Sequence, residues 1–93
     1  MITIDLNHPL QDLDGNPIAD SNLGKNMAAQ LVTVAHGNVV KHYDWALALH
    51  RGKPIEVDQA DLDYLKKLVE DSASITILGK KQILDLMVKS KPD

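Results

Sequence analysis

Two stretches of this chain set a glycine and a lysine side by side at the start of an apolar, helix-like pattern. They are Leu23-Gly24-Lys25 and Leu78-Gly79-Lys80. Backbone amides beside a lysine could hold a phosphate. A P-loop, however, needs a second glycine upstream at a set spacing and a Ser or Thr after the lysine. Asn26 follows Lys25, Lys81 follows Lys80, and the upstream glycine is absent in both cases. A duplicated unit fares little better. The offset between the two tripeptides aligns Leu31 with Leu86 but sets Met27 against Gln82, and about one repeated tripeptide arises by chance in a chain this short. The remaining reading is geometric. Each glycine falls on the apolar side of its helix, where the missing Cβ permits close backbone approach.

The histidines, acids and bases were tested in the same way. His42 and His50 are eight residues apart. That places them ~80° apart around a helix, which is not the i, i+4 spacing of a helical zinc pair. His8 and His36 lie outside any such pattern. "DLDGNP" looks like a calcium loop but lacks the glycine at six and the glutamate at twelve, where Leu23 stands when counting from Asp12. There is no cysteine, no HExxH and no GxSxG, so no catalytic constellation emerges. Asp58 and Asp61 serve a helix start more simply than an acid–base site, and Asp63 lies beside them. Seven of the 10 bases fall into two groups, Lys41, Arg51 and Lys53, then Lys80, Lys81, Lys89 and Lys91. Neither forms a dense face. With a formal net charge of −3, general attraction to nucleic acid is not expected. No metal or other cofactor is expected, and the chain does not read as an enzyme.

The elements that must position these residues follow from composition and period. Ninety-three residues suffice for one small domain. Apolar residues make up 44% with no Phe, one Trp and two Tyr, so the core must be aliphatic. The absence of Cys suits a reducing compartment. The N-terminus lacks a signal-peptide layout, and no apolar run approaches ~18 residues, so no membrane span and a cytoplasmic location are expected. Ile2, Ile4 and Leu6 alternate as on a short strand, and Asp14-Gly15 marks a tight turn. Residues 1–20 therefore read as a β-hairpin or extended arm packed on helices. Residues 21–89 read as a helical core, and 90–93 as a frayed tail.

The first helix is predicted from Leu23 to His36, capped by Ser21 or Asn22 and buried along Leu23, Met27, Leu31 and Val34. The second is predicted from Val39 to His50, and Gly52 and Pro54 stop it. The third follows an Asp58 cap, buries Leu62, Leu65, Leu68 and Val69, and carries an Asp63–Lys67 pair. The last begins near Leu78 after a β-branched Ile75-Thr76-Ile77 stretch and buries Ile83, Leu86 and Met87. The fold class is mainly α: a small bundle of about four helices with a short N-terminal β arm.

The second helix is apolar on two sides. Val39, Val40, Tyr43, Ala46, Leu47 and His50 share one face; Trp45 and Leu49 point nearly the other way, beside His42. A central, sandwiched helix explains this. A protein-contact surface made of Trp45, Leu49 and His42 explains it too, since tryptophan is enriched at interface hot spots.

Taken together, "DLDGNPI", "LGKNMAAQLV", "VDQADLDYLKKLV" and "ILGKKQILDLM" resemble the pattern of small phage and prophage proteins. These carry an N-terminal arm with an Asp-Gly turn, an LGK-type helix start, an alanine-rich helix and an acidic-capped helix. The resemblance implies a non-enzymatic phage product. It would act in virion or tail assembly, in the manner of a tail-assembly chaperone, or by binding a host protein; no catalytic residue carries over. The expected function is a protein-interaction module working by self-association or on another protein. A small helical DNA-binding regulator is the alternative.

Overall fold

The structure is a computed structural model that describes residues 1–89. The expected frayed tail, 90–93, lies outside the described residues. The order is β1 (Ile2–Ile4), α1 (Leu23–Thr33), α2 (Val39–His50), β2 (Ile55–Val57), α3 (Gln59–Glu70) and α4 (Ile77–Lys89). The chain is therefore mainly helical, with four helices and a short β arm at its N-terminus. No helix among the described residues is long and apolar enough to cross a membrane.

The arm is two devices rather than one. Its alternating residues form β1, and Ile2, Ile4 and Leu6 are all buried as the period requires. The partner of β1 is distant: it pairs antiparallel with β2, Ile2 opposite Val57 and Ile4 opposite Ile55. Ile55 and Val57 point inward while Glu56 points out. Three residues are too short for their alternation to stand out in the sequence, so β2 was not foreseen.

The expected hairpin occupies only residues 10–18, as a single bridge between Gln11 and Pro17. Gly15 takes the left-handed conformation there, at φ +86°. Asp12 organises the loop, its Oδ1 accepting from the amides of Asp14 and Asn16 at 2.9 Å each. The loop is tied to α4 by Gln82, which donates to Gln11 O at 2.8 Å and accepts from Gln11 N at 2.9 Å.

The helix ends follow capping chemistry. Asn22 Oδ1 accepts from Lys25 N at 3.0 Å, Asn38 Oδ1 from Lys41 N at 3.1 Å, and Asp58 Oδ1 from Asp61 N at 2.7 Å. Helix α1 stops at Thr33, one turn before His36, because Val34 is already extended at ψ 147° and turns its side chain toward the core. At the other end of the chain, Ile77 is helical and Thr76 Oγ1 accepts from Gly79 N at 3.1 Å, so 75–77 does not form a strand. The expected Asp63–Lys67 pair is replaced: Lys67 reaches Asp71 at 3.5 Å, and Asp63 accepts from Gln59 Nε2 at 3.0 Å. Asn22 has a second task, since its Nδ2 donates to Asn7 Oδ1 of the arm at 3.1 Å. Asn22→Ala loses both bonds and should cost about 1 kcal/mol, read as a lower urea midpoint at unchanged slope.

One core joins all these elements. The stripes expected on α1, α3 and α4 are buried except at Val34, which lies beyond α1, and Leu86, both of which are partly buried against the core; Met27, Leu65, Val69 and Ile83 are fully enclosed. A polar knot at its edge joins α1 to the α3–α4 turn. Ser72 Oγ donates to Gln30 Oε1 at 2.8 Å and accepts from the amides of Ser74 and Ile75 at 3.1 Å each. No buried polar side-chain atom among the described residues lacks a partner.

Candidate functional site

Helix α2 decides where a contact surface can lie, because it packs against both α1 and β2. The face that enters the core is the one carrying His42, Trp45, Ala46 and Leu49. Trp45 is 8% exposed, His42 6% and Leu49 1%. The expected contact surface of Trp45, Leu49 and His42 is therefore corrected: all three are core. The physical reason is visible at His42. Its Nδ1 lies 2.9 Å from Leu31 O at the end of α1, and its Nε2 lies 2.7 Å from Tyr64 Oη on α3. A carbonyl only accepts, so Nδ1 carries the proton and Nε2 accepts from the tyrosine hydroxyl. This three-helix link fixes the rotation of α2. Trp45 and Leu49, on the same side, go inward with it, and the Trp45 ring stands 6.1 Å from the His42 ring.

Fixing that face outward-turns the other. Val39, Val40 and Tyr43, read from sequence as one side of a sandwiched helix, are 81%, 68% and 60% exposed. Val32 of α1 is exposed beside them. Between the two helices runs a groove of about 360 Å³, lined by Ala28, Ala29, Val32, Tyr43 and Leu47 among others. Lys25 and His50 also line it. Its walls are small or aliphatic, with one tyrosine whose hydroxyl gives a polar tip. This surface was missed in the sequence because periodicity shows two apolar faces on α2 without saying which is covered. The usable signal was His42: a histidine on the Trp45 face, needing partners for both nitrogens, belongs where helix ends and a tyrosine converge.

The other candidate chemistries can be placed. The first amides of α1 are all engaged within the protein: Leu23 N with His8 O, Gly24 N with Leu6 O, Lys25 N with Asn22 Oδ1 and Asn26 N with Asn22 O. The LGK turn at Gly24 therefore offers no free amides to an anion. His8, His36 and His50 are exposed and scattered, and no three His, Asp or Glu side chains converge among the described residues. Lys41, in the first turn of α2, is paired with Asp61 at 3.0 Å.

No family model, curated protein or solved structure matches this chain. The functional reading therefore rests on the residues themselves, and the groove between α1 and α2 is the feature that most needs explaining.

Proposed function

We propose that this domain is a non-enzymatic protein-interaction module, and that its contact face is the α1–α2 groove with the flanking Val32, Val39, Val40 and Tyr43. The observation that carries this reading is that Val32 and Tyr43, both more than half exposed, line one concave strip, with the exposed Val39 and Val40 one helical turn from Tyr43 on α2. Contiguous apolar surface of this kind marks binding sites in soluble domains. A groove between two helices is a common seat for an apolar side chain of another protein. The resemblance to phage and prophage proteins supplies the setting: virion or tail assembly, or contact with a host protein. The net charge of −3 and the Lys41–Asp61 pair favour this over a nucleic-acid partner.

Val32→Glu tests the reading. Val32 is 58% exposed, so the change should alter stability by no more than about 0.5 kcal/mol. A carboxylate in the groove should nonetheless weaken groove-dependent association by at least about tenfold, equivalent to ~1.4 kcal/mol. Association would be followed by sedimentation for self-contacts and by quantitative capture from expressing cells for other proteins. Equal association by wild type and variant, or salt-sensitive retention on nonspecific DNA as the dominant activity, would refute it.

A further inference from the structure

We propose that the α1–α2 groove receives the Leu13 loop of a second copy of this chain. The proposal deepens the reading above and rests on it.

The first observation is Leu13 itself. It is 95% exposed, more than any other large apolar residue among those described. A leucine at the tip of a loose loop would be unremarkable, but this loop is built. Asp12 Oδ1 holds two of its amides, Asp12 N donates to Asn16 O at 2.8 Å, and Ile18 N donates to Leu10 O at 2.7 Å. The Gln82 side chain grips Gln11 through both backbone groups. The loop therefore presents Leu13 in a set position, which lowers the ordering cost of inserting it into a partner.

The second observation is complementarity. Leu13 is flanked by Asp12 and Asp14, giving an apolar tip between two carboxylates. The groove has apolar walls of Ala28, Ala29, Val32 and Leu47, with Lys25 as the one formally charged residue among its lining. Ala28 and Ala29 leave room on the α1 side for a branched side chain. Lys25 and Asp14 take part in none of the ion pairs among the described residues, so each keeps a charge to offer. Opposite charges around an apolar contact fix its orientation and favour the right partner.

The third observation is placement. None of residues 10–18 lines the groove, and the loop is anchored on α4 through Gln82. Knob and hole are thus different surfaces of one molecule. Joined in one direction they make a heterologous contact, which continues into a ring or an open filament; two copies that insert into each other close as a two-fold dimer.

The experiment uses sedimentation velocity on the full chain between about 10 μM and about 1 mM, a range that spans weak, small interfaces. Leu13→Asp removes the knob and Val32→Glu blocks the hole; both positions are exposed, and circular dichroism checks that each variant is folded. Wild type should associate as concentration rises, as a dimer where insertion is mutual or as a longer series where it is one-way, and each variant alone should stay monomeric. Mixed in equal amounts, the variants should form a 1:1 pair and stop there, because one keeps an intact groove and the other an intact Leu13. The proposal is overturned if wild type stays monomeric throughout. It is overturned equally if Leu13→Asp assembles like wild type, or if the two variants fail to pair. Assembly that survives Leu13→Asp but not Val32→Glu, or groove-dependent capture of a different protein by a monomeric wild type, would overturn the Leu13 loop as occupant while leaving the groove as a contact face.

Discussion

Trp45→Ala should lower the melting temperature by on the order of 15 °C or more, with the loss appearing in the isolated monomer. Trp45 is 8% exposed and lies in the central cluster with Ala46 and Leu49. Truncating a buried tryptophan costs ~3–5 kcal/mol, from lost transfer energy and the cavity left behind. A domain of this size has only ~5–15 kcal/mol of stability in total, and each kcal/mol shifts the midpoint by ~4–8 °C. The change also removes the ring beside His42, so the link from α1 through His42 to Tyr64 loses a wall. Thermal and urea melts at several protein concentrations separate this from an interface effect. A variant that melted like wild type, yet associated less, would return Trp45 to the surface.

Gly24→Leu should destabilise the fold by about 1–3 kcal/mol, the usual range for overpacking a close contact. A Cβ at Gly24 would stand 3.0 Å from Leu49 O and 3.2 Å from Leu6 O. Both are backbone atoms, one at the end of α2 and one in the arm, so neither can swing aside. The glycine is where three segments meet, and its own amide donates to Leu6 O at 2.8 Å. Gly79 makes the useful contrast. A Cβ there would meet Ile75 Cγ2 at 3.1 Å and Thr76 Oγ1 at 3.4 Å, side-chain atoms with some freedom to move. Gly79→Ala also gains up to ~1 kcal/mol of helix propensity, so it should be close to neutral. Guanidinium melts of the two variants, run side by side, check the difference. Equal losses would mean that the two LGK turns are equivalent after all.

Most of the helical frame was legible because it depends on local signals. The Asp58 cap, the Gly52 and Pro54 stop, and the stripes through Leu62, Leu65, Leu68 and Val69 each sit within a few residues of what they determine. The misses share a different cause. Pairing of β1 with Ile55–Val57 is a long-range event between two three-residue strands, and no window of sequence contains both. The rotation of α2 is set by acceptors on other helices, Leu31 O and Tyr64 Oη. Before those partners are known, Val39, Val40 and Tyr43 look as fit for the core as Trp45 and Leu49 do. The residues expected to form a contact surface, Trp45, Leu49 and His42, therefore lie on the buried side of α2. The glycines were legible as packing positions, but their ranks were not: Gly24 sits second after its cap and Gly79 third after Thr76, so the shared tripeptide occupies different steps of the two helices.

The β1–β2 pairing also sets a schedule for biosynthesis. Ile2 pairs with Val57, so at ~5–20 residues per second the first strand leaves the ribosome roughly 3–11 s ahead of its partner. Through that interval Ile2 and Ile4 lack the strand that completes their ladder, on an edge of the kind that recruits other chains. Of the segments made before β2, α1 bonds the arm directly, its amides at Leu23 and Gly24 donating to His8 O and Leu6 O. Those bonds hold residues 6–8 and leave the Ile2–Ile4 edge to be covered when β2 arrives.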